Sequence, residues 1–394
     1  MTHQKGNLMR TTVAVVGGGY GGIAVAKELD AFTDVVLIEP RDTFVHNVAA
    51  LRGLTDPQWT DHLFLPYDRL LTRGTVLRDL AVRVDAASVT LRSGTRIDAG
   101  HIVLATGSAY PFPAKADTED SAAAKSRYHH TRQALAQAGR VLLLGAGPVG
   151  LELAGEIKAA WPDTSITIVD PGPEIVSGGY SGAFRAELRR QLDAMGIRVI
   201  LGTRLREQPP TAAGTAGTFT ATLQSGERLT ADIWFRCFGG APATGYLAGD
   251  LTTARRPDGR LTVTADLRLA GQQRVFALGD ITAIEEPKQA GTAVAHAPVI
   301  AANIRTLLDG GGPLTAYRPG PPGIVLPLGP HGGATYAPNW EEQVDPATAA
   351  HIRQHAKERG DTLLAQGILG AELTSQLKGE HLNVGEYAAL LNAA

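Results

Sequence analysis

Short apolar runs that end in glycines or in an acid form the clearest pattern along the chain. Thr12–Val16 (TVAVV) leads into a glycine-rich turn, a helical stretch follows at Ile23–Leu29, and Val35–Ile38 (VVLI) ends at Glu39. Alternation of an apolar strand, a turn, a helix and a second apolar strand is typical of a βαβ unit.

The same order returns far downstream. Val141–Leu144 (VLLL) runs into a second glycine-rich turn, a helix is expected at Leu151–Ala160, and Ile166–Val169 (ITIV) ends at Asp170. An internal repeat of this kind predicts two similar domains. We therefore expect an α/β fold with two Rossmann-like, three-layer dinucleotide-binding domains.

Other segments predict the elements around these units. Short alternating stretches at Val76–Leu104 and Phe219–Phe238 are typical of antiparallel strands with polar turns, and Leu261–Ile281 is read as further strand. A long helix is predicted at Ala290–Leu308. Asp345 and the proline after it are expected to begin another helix, in a C-terminal unit.

Proline and glycine cluster at Pro111–Ala116 and at Gly239–Thr244, which indicates two crossings between domains. The family resemblance given below implies that the second dinucleotide domain is inserted in the first. The predicted boundaries are 1–113 for the first part of the first domain, 114–238 for the inserted domain, 239–312 for the second part of the first domain and 313–394 for a smaller C-terminal α+β unit.

Composition narrows the class of protein. The 394 residues are 44% hydrophobic, and the net charge of −2 provides no basic field for nucleic acid. The single cysteine, Cys237, excludes an intrachain disulfide and an internal redox dithiol. The N-terminal residues lack the apolar core of a signal peptide, and no apolar run reaches the length of a transmembrane helix. These features favour a cytoplasmic protein.

The first glycine motif is Gly17-x-Gly19-x-x-Gly22. Its first glycine permits a tight turn, its second lets the backbone approach a pyrophosphate, and its third allows close packing of helix on strand. Glu39 lies where a carboxylate is expected to bind ribose hydroxyls. The motif therefore predicts a dinucleotide site.

The second motif, Gly145-x-Gly147-x-x-Gly150, is followed by Asp170 at the end of the next strand. A carboxylate there accepts hydrogen bonds from both ribose hydroxyls and repels a 2′-phosphate, which favours NADH over NADPH. The alternative is that Asp170 is a solvated turn residue and both nucleotides are used.

Further motifs carry a family resemblance. Leu104–Gly107 (LATG) and Gly279-Asp280 resemble signatures of the pyridine-nucleotide-dependent flavoprotein reductases. His46–Arg52 (HNVAALR), Glu152–Lys158 (ELAGEIK) and Pro287-Lys288 resemble the ferroptosis-suppressor and apoptosis-inducing-factor-like NAD(P)H:quinone oxidoreductases, which are related to type II NADH dehydrogenases.

This resemblance implies FAD at the first glycine motif, NADH or NADPH at the second, and Asp280 at the ribityl and phosphate region of the flavin. The FAD residues that it implies are Gly17, Gly18, Gly19, Tyr20, Gly21, Gly22, Glu39, Pro40, Arg41, Asn47, Val82, Ala105, Thr106, Gly107, Gly279, Asp280, Lys288, Gln289 and Ala290. The residues implied for the nicotinamide nucleotide and the domain crossing are Gly145, Gly147, Pro148, Val149, Gly150, Glu152, Asp170, Gly239 and Gly240.

Three residues are hypothesised to act in catalysis. Glu152 is placed near the nicotinamide carboxamide by the resemblance; the alternative is a first-turn carboxylate stabilised by the helix dipole. Lys288 is expected to stabilise negative charge on the reduced ring or on a quinone oxygen, or else to be an exposed lysine. His46 is expected to supply a proton to the quinol, or else to be structural. No grouping of residues predicts a metal site.

A quinone or another small aromatic molecule is the expected electron acceptor, because without a dithiol the electrons must leave the flavin directly. The chain departs from the family at Met1-Thr2, where the family begins Met-Gly, and at Asn383, where the family has an aromatic residue. A specialised small-molecule or protein acceptor therefore stays open, as does a non-catalytic NADH-responsive redox sensor. A homodimer and a peripheral contact of the C-terminal helices with a membrane surface are also left open.

Overall fold

Two parallel sheets carry the two glycine-rich turns, and smaller antiparallel sheets are attached to them. The structure, a computed structural model, describes residues 11–342, 345–358, 363–375 and 384–392. The strands are β1 (Thr12–Val16), β2 (Asp34–Ile38), β3 (Thr43–Val45), β4 (Phe64–Pro66), β5 (Thr75–Leu77), β6 (Ala81–Val84), β7 (Ser88–Leu91), β8 (Arg96–Asp98), β9 (His101–Leu104), β10 (Ser108–Ala109), β11 (Arg140–Leu144), β12 (Ser165–Val169), β13 (Arg198–Ile200), β14 (Phe219–Thr222), β15 (Arg228–Ala231), β16 (Ile233–Arg236), β17 (Ala241–Pro242), β18 (Val275–Ala277), β19 (Ile324–Pro327), β20 (Gly333–Tyr336) and β21 (Ile368–Leu369).

The helices lie between and after these strands. They are α1 (Tyr20–Asp30), α2 (Ala50–Thr55), α3 (Pro57–His62), α4 (Ser121–Gln137), α5 (Pro148–Ala160), α6 (Gly182–Ala194), α7 (Ala290–Leu308), α8 (Pro346–Glu358), α9 (Ala371–Thr374) and α10 (Val384–Asn392). Short 3-10 turns occur at Asn47–Ala49, Gly249–Ala254, Gly279–Ile281, Trp340–Glu342 and Leu363–Gln366.

The first sheet has the order β18-β9-β1-β2-β5, and all its neighbouring strands are parallel. Its central strand β1 is buried, as is usual for a parallel sheet whose two faces are both covered. The β1–α1–β2 unit is the predicted βαβ unit. Helix α7 packs against α1 on one face, so the element after Gly279-Asp280 lies beside the first glycine turn.

The second sheet has the order β13-β12-β11-β16 and is also parallel. Its β11–α5–β12 unit repeats the first one. In sequence it lies between β9 and β18, which are neighbours in the first sheet, and the short antiparallel pair β10–β17 links the two crossings. The predicted α/β class with two Rossmann-like sheets is confirmed.

Three of the strand predictions were wrong in part. Within Phe219–Phe238 the strands β14 and β15 pair antiparallel, whereas β16 belongs to the second parallel sheet. Within Val76–Leu104 only β6, β7 and β8 form an antiparallel sheet, whereas β5 and β9 belong to the first parallel sheet. Within Leu261–Ile281 the structure has one strand, β18, together with isolated bridges. Tight turns break this segment: Leu267 has a positive φ of 65° and Gly271 one of 80°.

Hydrophobic cores of both parallel sheets contain residues from more than one of the predicted domains. Residues of Val45–Phe64, which precede the inserted domain, pack into the core of the second sheet. Leu326, Leu328 and Ile368 from the C-terminal segment join the same core, whereas Trp340, Ile352 and Leu373 belong to a small core of the C-terminal unit itself. Helix α10 instead packs on the first unit through Tyr387 and Leu391.

Two of the positions at which the chain departs from the family lie outside the described residues: Met1-Thr2 and Asn383. Of the described helices, none combines the length and the hydropathy needed to cross a bilayer.

Candidate active site: two nucleotide cradles

The first glycine turn is shaped by backbone contacts that leave no room for a side chain at two of its positions. Gly17 has φ of 105°, and a Cβ there would lie 2.6 Å from the carbonyl oxygen of Ala105. A Cβ on Gly22 would lie 1.9 Å from the carbonyl oxygen of Gly17, whereas one on Gly19 would meet nothing within 4 Å. The middle glycine therefore faces open space at the start of α1, where a pyrophosphate fits against free N–H groups.

Glu39 closes this turn from the end of β2. Its carboxylate accepts hydrogen bonds from the Gly18 N–H at 2.7 Å and from the Arg41 N–H at 3.1 Å. The Tyr67 hydroxyl donates to the Gly18 carbonyl oxygen at 2.8 Å, a contact that the sequence did not reveal. Glu39 is buried, so its charge is fixed beside the turn.

Two loops from the same edge of the first sheet complete this cradle. Thr106, after β9, donates to the Ala243 carbonyl oxygen at 2.7 Å, and Gly107 has a positive φ of 62°. Asp280, after β18, accepts a hydrogen bond from the Ser108 hydroxyl at 2.6 Å and lies 3.8 Å from the Lys115 ammonium nitrogen. The carboxyl ends of parallel strands thus collect these groups at one crevice.

The second cradle repeats the geometry of the first. Gly145 has φ of 115°, and a Cβ there would lie 2.8 Å from the Cys237 carbonyl oxygen. A Cβ on Gly150 would lie 1.9 Å from the Gly145 carbonyl oxygen, and one on Gly147 would again meet nothing within 4 Å. Pro148 occupies the first turn of α5, where its missing N–H costs nothing.

Asp170 occupies the position that corresponds to Glu39. It accepts hydrogen bonds from the Ala146 N–H at 2.7 Å and from the Gly172 N–H at 2.6 Å. A cleft of about 380 Å³ opens beside it, and the exposed ring of Phe238 lies on its wall. Both cradles therefore fit a dinucleotide: an acid lies at the strand end, and open space lies over the middle glycine.

Cys237 follows β16 at the floor of the second cradle. It is buried, and its burial raises the pKa of the thiol to about 12. This environment suits a small apolar residue better than a reactive one, because a thiol that keeps its proton is a poor nucleophile.

Lys288 lies half-buried just before α7. Its ammonium group donates to the Ile284 carbonyl oxygen at 2.8 Å and to the Thr282 hydroxyl at 3.3 Å. Burial lowers the pKa of Lys288, against the opposing effect of nearby carboxylates. Desolvation therefore makes this ammonium a better proton donor than an exposed lysine. Gln289 and Ala290 follow it at the N-terminus of α7.

His46 lies in an aromatic cluster with no exposed surface. Its Nδ1 is 3.2 Å from the Tyr20 hydroxyl oxygen, and its ring is 5.1 Å from that of Tyr387 in α10. Burial raises the pKa of Tyr20 far above its usual value, so the phenol stays protonated. This environment favours the structural alternative for His46 over proton delivery to an acceptor.

Helix α5 carries two glutamates with different surroundings. Glu152 is half-buried and lies two residues after the last glycine of the second motif. Glu156 is buried and forms an ion pair with Arg52 of α2, whose Nη2 lies 2.8 Å from Oε1. The guanidinium Nε also donates to both carboxylate oxygens, at 3.1 and 3.2 Å. This pair joins the segment before the inserted domain to the helix of the second cradle.

The other predicted residues lie around the two cradles. Gly239 and Gly240 are in the crossing that leads to β17, and Val82 is exposed on β6. Pro40 and Arg41 follow Glu39. Asn47 begins a 3-10 turn after His46. Gly21 is buried in α1, and Val149 is half-buried in α5.

Sequence comparison identifies the family. The family model described as pyridine nucleotide-disulphide oxidoreductase matches residues 11–297. The chain belongs to this family. It is 26% identical over 399 residues to apoptosis-inducing factor homolog B of Dictyostelium discoideum, covering 96% of each chain. It is 30% identical over 329 residues to ferroptosis suppressor protein 1 of Xenopus laevis, covering 82% of this chain and 87% of that one.

A solved structure supports the fold. The NAD-dependent persulfide reductase of A. fulgidus superposes with a TM-score of 0.66 at 17% identity, covering 89% of this chain and 66% of that chain. Together with the two cradles, the family membership identifies the protein as an FAD-dependent pyridine nucleotide oxidoreductase. The predicted family, fold class and cofactors are confirmed.

Proposed function

We propose that the protein oxidises NADH and passes the electrons through FAD to a quinone-type acceptor, without a redox disulfide. Cys237 carries this proposal, because it is the single cysteine of the chain and is buried with a raised pKa. A family member that lacks a dithiol must release its electrons from the flavin itself.

The first cradle would hold FAD and the second NADH. Bound FAD supplies the hydride-accepting ring and can return electrons to an acceptor. The free N–H groups at the N-termini of α1 and α5 would bind the two pyrophosphates. Asp280 would hold the ribityl region, with Lys115 balancing its charge. Glu152 would orient the nicotinamide carboxamide from the first turns of α5.

Lys288 would act on the acceptor side. Its half-buried ammonium can donate a hydrogen bond or a proton to a reduced quinone oxygen. We assign this role to Lys288 alone, because His46 has no surface from which a proton could reach an acceptor. The exposed backbone at the start of α7 would add the positive end of a helix dipole.

An acceptor panel tests the proposal. The purified chain is supplied with NADH and, in turn, with a soluble short-chain quinone, a ferredoxin, glutathione disulfide and dioxygen. We expect the quinone to support the fastest turnover and the disulfide to support none. Faster turnover with the ferredoxin would replace the quinone by a protein acceptor, and sustained reduction of the disulfide would refute the direct route from the flavin.

Replacing Asp170 by asparagine is expected to shift the nucleotide preference. The change removes the charge that repels a 2′-phosphate and weakens the contact with the ribose hydroxyls, so the ratio of kcat/KM for NADPH to that for NADH should rise about tenfold. Steady-state kinetics with both nucleotides measure this ratio. The control is Asp163→Asn, which changes an exposed acid before β12. An unchanged ratio in Asp170→Asn would mean that this carboxylate only holds the turn.

Replacing Lys288 by methionine is expected to slow the acceptor reaction. The change keeps the length of the side chain but removes its donor, so kcat/KM for the quinone should fall about tenfold, whereas reduction of the enzyme by NADH stays within about twofold. Stopped-flow measurement of the two half-reactions separates these effects. Lys288→Arg keeps the charge and should retain more activity than Lys288→Met. Equal quinone rates in the wild type and in Lys288→Met would contradict the assignment.

A further inference from the structure

A buried network of polar side chains lies beside the loop that carries Lys288, and the sequence did not reveal it. The Gly279 N–H donates to His296 Nδ1 at 3.1 Å, and His296 Nε2 lies 2.9 Å from Glu286 Oε1. The Tyr317 hydroxyl donates to the other carboxylate oxygen of Glu286 at 2.8 Å. The side chains of His296 and Glu286 are 0% and 2% exposed.

The hydrogen-bond contacts define which atoms carry the protons in this network. Because His296 Nδ1 accepts from a backbone N–H, the ring proton must reside on Nε2, which then donates to Glu286. Burial lowers the pKa of His296 and raises that of Tyr317, so both groups are neutral donors. Both oxygens of Glu286 are thus occupied by donors that fix the carboxylate in one orientation.

Glu286 precedes Lys288 by two residues in the sequence. The loop between Gly279 and α7 is closed by local hydrogen bonds: the Thr282 hydroxyl donates to the Gly279 carbonyl oxygen at 3.0 Å. Lys288 in turn donates to Thr282 and to Ile284. Fixing Glu286 therefore fixes the middle of the loop from which Lys288 extends.

The segment that enters the C-terminal unit is held by the same network. Tyr317 lies after α7, and its N–H donates to the Ala265 carbonyl oxygen at 2.8 Å. Its ring packs edge-on against His296, with the ring centroids 4.3 Å apart. The loop that carries Lys288 is consequently held from two directions, by α7 through His296 and by this segment through Tyr317.

We propose that Glu286, held between His296 and Tyr317, is a positioning residue that sets the place of the Lys288 ammonium group relative to the Gly279-Asp280 turn. This inference rests on the proposed function, in which Asp280 holds the flavin and Lys288 serves the acceptor. A buried carboxylate is costly unless it is hydrogen-bonded, and the two donors both offset that cost and hold the group in one place, as the positioning of a charged group beside a cofactor requires.

Glu286→Gln is the test variant, because the amide keeps the shape of the side chain but presents an N–H group to one of the two donors. Glu285→Gln is the matched control, since Glu285 is the adjacent residue and its side chain is 83% exposed. We expect Glu286→Gln to retain FAD and its rate of reduction by NADH. Its kcat/KM for quinone should fall about tenfold, because a small displacement of a catalytic group lowers the rate strongly.

Two readouts do not depend on turnover. Acylation of Lys288, followed by mass spectrometry in the protein without nicotinamide nucleotide, should be faster in Glu286→Gln than in the wild type and in Glu285→Gln. The ¹⁵N spectrum of the histidine ring at position 296, assigned with His296→Gln, should show the Nε2–H tautomer in the wild type. If Glu286→Gln does not fold, Tyr317→Phe removes one donor from the same carboxylate and should shift Lys288 labelling in the same direction.

A double-mutant cycle with Lys288→Met completes the test. The proposal requires that Glu286→Gln causes no further fall in kcat/KM for the quinone when Lys288 is already methionine. It is overturned if Glu286→Gln behaves as Glu285→Gln, if FAD is lost, if both half-reactions fall together, or if the two effects on the quinone reaction add. If Lys288→Met leaves quinone turnover intact, the proposed acceptor role of Lys288 fails, and Lys288 labelling still decides whether Glu286 holds that side chain.

Discussion

Alanine at Gly22 is expected to abolish FAD binding and to destabilise the first unit by about 3 kcal/mol or more. The new Cβ would lie 1.9 Å from the Gly17 carbonyl oxygen and 3.4 Å from the Ala105 Cβ. Backbone atoms that belong to a central strand and its turn cannot move aside as a flexible side chain can. Flavin absorbance per mole of protein and the thermal midpoint of the apoprotein measure the two effects.

Two other glycines serve as controls for Gly22→Ala. A Cβ added to Gly182, at the start of α6, would meet nothing within 4 Å, so Gly182→Ala should keep both FAD and stability. Gly19 also meets nothing within the protein, so Gly19→Ala should fold normally and yet lose FAD, because its methyl group enters the space assigned to the pyrophosphate. A Gly22→Ala protein with normal flavin content would refute the packing account of the cradle, and a Gly19→Ala protein with normal flavin content would refute the assigned position of the pyrophosphate.

Replacing Glu156 by leucine is expected to cost about 3–5 kcal/mol of stability, because it removes the carboxylate that neutralises the buried Arg52 guanidinium. The pair is 5% and 6% exposed and joins α2 to α5. Loss of the pair should also slow reduction of the flavin by NADH, since α5 carries the second glycine turn. Urea unfolding and the stopped-flow reductive half-reaction measure the two consequences.

The double variant Arg52→Met/Glu156→Leu should recover most of this stability, because an apolar pair of similar volume needs no charge compensation. Asp193→Ala breaks an exposed pair with Arg189 in α6 and should cost less than about 0.5 kcal/mol. If Glu156→Leu costs no more than Asp193→Ala, the buried pair does not hold the two units together. If the double variant regains stability but not the rate of flavin reduction, the ion pair itself aligns the second cradle.

The sequence predicted the parts of the fold in which local constraints are strongest. The strand, turn and helix of each cradle follow from glycines whose backbone contacts tolerate nothing larger, and the acids Glu39 and Asp170 end the next strands as expected. Helix α7 begins and ends as predicted. These features depend on neighbours close in sequence or on a repeated pattern, so one chain suffices to predict them.

The remaining features depend on contacts between distant residues. Helices α2 and α3 pack into the core of the second unit, which no local pattern indicated. The network of Glu286, His296 and Tyr317 joins residues that are up to 31 positions apart. The surroundings of His46 are of the same kind: its type and place in sequence suggested proton transfer, and the contacts with Tyr20, Phe44 and Tyr387 became visible only in the structure. Its role stays a prediction. The position of Asn383 lies outside the described residues, so its effect on the acceptor stays a prediction.

An anaerobic titration of the purified, FAD-loaded chain with NADH tests the central claim most directly. The account predicts that about one equivalent of NADH per flavin bleaches the flavin absorbance completely, because the flavin alone stores the electron pair. Subsequent addition of a soluble quinone should restore the absorbance. A requirement for a second equivalent of NADH, or a reduced flavin that the quinone leaves bleached, would contradict the account.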